Sequence, residues 1–323
     1  MLFSTHWVFA IGRKLPLSPT GLGLRQLPVN KVIGPVSAWI SVRRQHVCVG
    51  AVLLFGLCFW GGVLPAQGET VAVVPPPDTA ICERLTADTR WRVTEIVDGD
   101  TVLLDNGREV RLVGLQAPKL ALGRRHFQEW PLATEARDAL GELVNGQAVT
   151  LYFGGREEDR HGRILAHLFL DDGRWVQGEM LAQGLARVYS FPDNRACIAD
   201  MLAKEREARD QGFGIWSLAY YAIRAASPPE ALLTLEDSFQ LVEGRVREVA
   251  RVRNRVFLNF GENWRDDFTL VISGPDRRRF PADMESWVGR DVRVRGWIDA
   301  YNGPEIRLTH PEQLEWLGDT SSF

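Results

Sequence analysis

"VDGDTVLLDNGREVRLVGLQAP", residues 97–118, is the stretch on which the fold turns. Asp98-Gly99 precedes the β-prone run "TVLLD", and Asn106-Gly107 separates that run from "EVRLVGL" (109–115). Aspartate-glycine and asparagine-glycine tolerate positive φ, so between short β-prone runs they mark tight hairpins. With "WRVTEIV" (91–97) ahead of it, the stretch predicts a three-strand meander.

The pattern then changes period. In "ATEARDALGELVNG" (133–146), Ala136, Ala139, Leu140, Leu143 and Val144 recur at helical spacing, and Gly146 ends the run. Strands follow at "AVTLYF" (148–153) and "RILAHLFL" (163–170), with Asp171-Asp172-Gly173 as a turn. A short helix over 176–184 and a longer one over 197–212 complete the unit. In the longer helix Ile198, Met201, Leu202, Glu205 and Ala208 share one side. A Ser-Pro-Pro segment then leads to "FQLVEGRVREVA" (239–250), "RVFLNF" (255–260), "DFTLVIS" (267–273), "DVRVRGWID" (291–299) and "EIRLT" (305–309). Five strands, with a short helix near "PADMESW" (281–287), fit a small Greek-key barrel of the OB type. The fold class expected is mainly β (α+β), with two successive barrels.

The amino-terminal part is of another kind. "VRRQHVCVGAVLLFGLCFWGGVLPAQG" (42–68) places two arginines before an uncharged run over 47–64, followed by Ala66-Gln67-Gly68. That is the layout of a secretory signal. The alternative is an anchor, since about 18 apolar residues reach the lower limit of a membrane span. Residues 1–42 are unlike a signal n-region and read as an upstream extension. The domains expected are therefore an extension with signal or anchor (1–68), a linker (69–90), a first barrel domain (91–217), a second linker (218–234) and a second barrel domain (235–318). Localisation is expected to be exported, periplasmic or secreted, or else anchored to the membrane by 47–64. Cys82 and Cys197 form an even pair outside the apolar run, which in an oxidising compartment suggests a disulfide; the other reading is two unrelated thiols.

Net charge is −3, and residues 91–217 hold sixteen Lys and Arg against twenty Asp and Glu. That balance excludes coating of nucleic acid by bulk electrostatics, because affinity for a duplex needs several phosphate contacts.

Five segments in order, "VDGDTVLL", "VRLVGLQAP", "EDRHGRILA", "GLARVY" and "KEREARDQGFGIWS", make residues 91–217 resemble the staphylococcal nuclease (thermonuclease) family. The resemblance implies a five-stranded OB barrel with three helices and a calcium-dependent phosphodiesterase acting on DNA or RNA. It implies Asp100 as a metal ligand and Arg111 and Arg163 as the catalytic arginines. Arginine suits that task, since its planar fork can hold two phosphate oxygens. The chain departs from the family elsewhere. Gln116 stands at the second metal aspartate, Ala117 at a threonine that contributes its backbone carbonyl, and Lys119 at the glutamate base. Gln116 offers a neutral oxygen, which weakens a calcium site, and Lys119 could hold phosphate as a point charge. Glu129, in the loop that also carries Glu135, is the candidate replacement base. Arg124 and Arg125 would add to a basic cleft, and Tyr189 matches an aromatic beside the family's nucleotide site.

Two functions follow from these residues. One is an exported, metal-dependent endonuclease with altered or reduced activity on single-stranded DNA or RNA. The other is a non-catalytic domain that binds a phosphate-bearing ligand or an envelope protein. In the second barrel Arg255, Phe257, Trp264, Trp297 and Tyr301 are candidates for stacking on bases, although docking of a protein partner is the favoured reading there.

Overall fold

The computed structural model describes residue 82 and residues 85–318. The expected signal or anchor over 47–64 lies outside the described residues. Among the described residues no helix is long and apolar enough to cross a membrane.

The first five-stranded barrel closes in the order β1 (Thr86–Asp98), β2 (Thr101–Leu104), β3 (Glu109–Leu112), β6 (Ile164–Leu170), β5 (Ala148–Phe153). The first half of β1 pairs with β5 and its second half with β2, so one long strand serves both sides of the closure. The parallel pair β3–β6 sets Val110 against Ile164 and Leu112 against Ala166, with all four buried. Period-two alternation therefore turns Arg111 to the opposite face. Helix α1 (Ala133–Val144) buries Ala136, Leu140, Leu143 and Val144, and α3 (Ile198–Asp210) buries the five residues that its pattern predicted. Between them lies α2 (Val176–Ala182).

The expected strand 109–115 is interrupted. β3 ends at Leu112, and Gly114 takes a φ of 84° that a side chain would resist. A Cβ at Gly114 would also come within 2.7 Å of Met201 Sδ. The chain thus leaves the barrel and forms β4 (Leu115–Gln116), which pairs with β7 (Arg187–Val188) in the register Gln116↔Arg187. Cys82 and Cys197 are joined as a disulfide, with Cα atoms 4.4 Å apart. It ties the segment before β1 to the residue preceding α3.

The second sheet repeats the plan. β9 (Phe239–Arg245) runs through Val246 and Arg247 into β10 (Glu248–Val252), again one bent strand whose two halves pair with different neighbours. β10 pairs with β11 (Arg255–Asn259), β11 with β12 (Thr269–Ile272), and β12 runs parallel to β14 (Pro304–Leu308). β13 (Asp291–Ala300) joins β14 to β9. The sheet has two members beyond the five expected: β8 (Arg224–Ala225), inside the Ser-Pro-Pro segment, and β15 (Leu314–Leu317). The short helix expected near 281–287 is a single 3-10 turn, Glu285–Trp287.

Each barrel has its own apolar core, and a buried charged network runs between them. Arg295 of β13, 1% exposed, donates to both oxygens of the buried Glu205 on α3, at 2.9 and 3.0 Å, and to the Val188 carbonyl at 3.2 Å. Its guanidinium also pairs with Glu315 of β15. Arg209 bridges the same two glutamates at 2.9 and 3.3 Å. Burial would favour a neutral Arg295, but the two carboxylates outweigh it and hold the group firmly cationic. Ser190 and His310 meet at 2.7 Å across the same junction.

Two stability results are expected. Arg295→Ala leaves Glu205 and Glu315 buried with a cation missing, and chemical denaturation should record a loss of about 3–5 kcal/mol. Cys82→Ser with Cys197→Ser releases a loop of more than a hundred residues and should lower stability by about 4–5 kcal/mol on the chain-entropy estimate.

Candidate nucleic-acid-binding site

The Asp98-Gly99-Asp100 turn between β1 and β2 brings two carboxylates to the mouth of the first barrel. Gly99 is required there, since a Cβ would lie 2.8 Å from that of Ala117 and 2.9 Å from that of Ala136. Asp100 is wholly buried, and every bond it makes is to a donor. Oδ1 pairs with the Arg111 guanidinium and accepts the Thr101 hydroxyl at 3.1 Å. Oδ2 accepts the Ala117 N–H at 3.0 Å and the Lys119 ammonium. Lys119 Nζ also lies 3.3 Å from Asp98 Oδ2, so the ammonium sits between the two aspartates.

Burial alone would raise the Asp100 pKa. Arg111 and Lys119 beside it, with the hydrogen bonds from Lys119 and Ala117, reverse this and hold it well below the usual carboxylate range. Since the folded value lies below the ordinary 3.8, Asp100 stabilises the fold above that value. The contribution is lost only as pH falls from there through the depressed one.

Above this pair opens a cleft of about 640 Å³. Arg111, Lys119, Arg124, Arg163 and Tyr189 all line it, as do Arg156 and Arg160, which the sequence reading missed. Of its three lining carboxylates, Asp98 faces Lys119, Asp159 binds Arg163 at 2.7 Å, and Asp193 faces Arg156 at 3.8 Å. Asp159 also accepts the backbone N–H groups of His161 and Arg163, which closes the turn carrying Arg163. Burial opposes the charge of Asp159, but the bonds from Arg163 and these N–H groups win and lower its pKa. Arg124 lines the cleft while folding back on its own loop, with its guanidinium carbon 3.6 Å from the centre of the Phe127 ring.

Other expected site residues stand apart from the cleft. Glu129 is exposed and accepts the Ala121 N–H at 3.2 Å; it serves its own loop instead of facing the arginines. Glu135 and Arg125 are exposed and do not line the cleft. Gln116 is turned to Arg187, whose Nε and Nη2 donate to its Oε1 at 3.1 and 2.8 Å. Arg187 is buried against Phe239, Trp130 and Tyr221, and burial brings its pKa down to about 10, which leaves it charged at neutral pH. Nothing in "GLARVY" signals this residue, because its partner is set by a two-residue pairing across the fold.

Residues 109–218 match the family described as staphylococcal nuclease homologue. An "Uncharacterized endonuclease" of Escherichia coli is 34% identical over 41% of this chain and 80% of its own length. The chain belongs to the staphylococcal nuclease family. The "Thermonuclease" of Staphylococcus hyicus is 30% identical over 39% of this chain and 75% of its own. "Endonuclease YncB" of Bacillus subtilis is 34% identical over 39% of this chain and 60% of its own.

The family's calcium requires several oxygen ligands. Here both Asp100 oxygens are engaged by cations and N–H or O–H donors, and the Gln116 oxygen is held by Arg187. Among the described residues no three acidic, histidine or cysteine side chains form a metal-holding group. The donor set therefore does not fit calcium, and Lys119 supplies the positive charge that buried Asp100 requires. Millimolar calcium should leave the melting temperature of the wild-type protein unchanged. Lys119→Glu should gain calcium-dependent stability, about 2.7 kcal/mol at free calcium a hundred times Kd. An equal gain in the wild type would contradict the substitution of ammonium for metal.

Proposed function

We propose that this chain is an exported member of the thermonuclease group that holds single-stranded DNA or RNA by its phosphodiester backbone, with the Lys119 ammonium standing where the family uses calcium. The single observation that carries this reading is the make-up of the cleft. Six cationic side chains and three carboxylates line it, in a barrel whose overall charge is negative. Each of those carboxylates already faces a cation, so the surplus charge is positive and no lining carboxylate stands unpaired to orient water. Such a surface favours binding of phosphate over its hydrolysis.

A second reading, endonuclease activity, is favoured by Arg111 and Arg163 lining one cleft and by relatives that carry the name endonuclease. Export draws its support from the signal-like segment 42–68, and a membrane anchor over 47–64 is its alternative. The boundaries proposed for the two barrel domains remain 91–217 and 235–318.

Fluorescence polarisation with labelled single-stranded oligonucleotides tests the first reading. Binding should be the same in EDTA and in calcium, and Arg111→Ala should weaken it by about 2 kcal/mol or more, roughly 30-fold. Binding that disappears in EDTA would overturn it. Cleavage of the same oligonucleotides, abolished by Arg163→Ala, would establish the second reading in its place.

A further inference from the structure

Tyr189 and Phe191 line the phosphate cleft, and they also line a second cavity of about 220 Å³ between the two barrels. The far wall of that cavity comes from the second barrel: Phe239, Trp297 and Arg307. Trp297 Nε1 donates to the Tyr189 hydroxyl at 3.0 Å, so the aromatics of the two barrels are physically linked. Tyr189 meets Phe191 and Phe239 edge to face, with centroids 4.8 and 4.9 Å apart. Phe191 and Trp297 nonetheless stay open to solvent, at 46% and 44%. The buried charge of Arg295 behind them fixes β13, and with it Trp297, against α3 and β7.

We propose that this aromatic seam is the continuation of the cleft: a single strand held by its phosphate at Arg111, Lys119 and Arg163 runs past Tyr189 and sets its next base on Trp297 and Phe191. This rests on the backbone-binding reading of the cleft and extends it to the second barrel. The seam is contiguous with the cationic cleft through two shared side chains. Its volume is below the ~300–1,000 Å³ of pockets that enclose whole drug-sized ligands, which suits one planar base. Exposed rings beside a cationic track are the means by which proteins hold single strands without reading sequence. A duplex cannot use the seam, because its bases are already stacked and paired. The strand is therefore single, and the second barrel contributes to length and strandedness preference.

The test compares three ligands, thymidine 3′,5′-bisphosphate, a labelled thymidine hexanucleotide and a duplex of the same length, across three proteins. In the wild type the hexanucleotide should bind more tightly than the bisphosphate and more tightly than a duplex of the same length. Trp297→Ala should weaken the hexanucleotide roughly 5- to 150-fold, the effect of losing one stacked base, and should weaken the bisphosphate far less. Trp297→Phe keeps a ring but loses the bond to Tyr189, and should restore most of the hexanucleotide affinity. A hexanucleotide affinity unchanged in Trp297→Ala, or Trp297→Phe as weak as Trp297→Ala, overturns the inference and leaves the cleft reading standing. Failure of the wild type to bind either ligand overturns the cleft reading, and this inference falls with it.

Discussion

A carboxylate with no access to water has to have positive charge beside it, and Asp100 is such a carboxylate. It lies where the Asp98-Gly99-Asp100 turn meets α1 and the backbone of Ala117. The family that this chain belongs to meets the demand with a metal ion. Here the demand is met from within, by Arg111 on one oxygen and Lys119 on the other. The replacement of a glutamate by Lys119 is then more than the loss of a base. It removes a negative charge from the site and adds a cation beside Asp100.

The same constraint recurs twice, and each time it joins parts of the chain distant in sequence. Arg187 is buried among aromatic rings, where it donates two N–H groups to the neutral Gln116, seventy-one residues away. Glu205 and Glu315 meet Arg295 and Arg209 at the junction of the two barrels. In a buried ion network of this kind the loss of one partner is costly, because it leaves an uncompensated charge. That suits a protein in which Trp297 of one barrel has to stand against Tyr189 of the other.

The elements of the first barrel were legible in order, because their signals are local, although β1 begins at Thr86, five residues before the expected start. Hairpin dipeptides, alternation in 109–112 and the helical stripe Ile198, Met201, Leu202, Glu205, Ala208 all report on neighbours within a few positions. The run 109–115 misled because alternation says nothing of where a strand ends, and the break depends on Gly114 meeting Met201. Glu205 on an otherwise apolar stripe was a signal of a buried charge, with no indication of its partner. Glu129, a reasonable stand-in for a base by position, instead holds the backbone of its own loop.

The sequence by itself determined the fold of the first barrel and the family, because turn chemistry, strand period and motif spacing act over short distances along the chain. Only the tertiary structure decided that Lys119 lies between Asp98 and Asp100, that Gln116 faces Arg187, and that Arg295 locks the second barrel to α3. Those are pairings of charges and donors across 19 to 90 residues. Electrostatic partners are chosen by proximity in the folded state, where burial makes each unpaired charge costly, and proximity of that kind leaves no mark on local sequence.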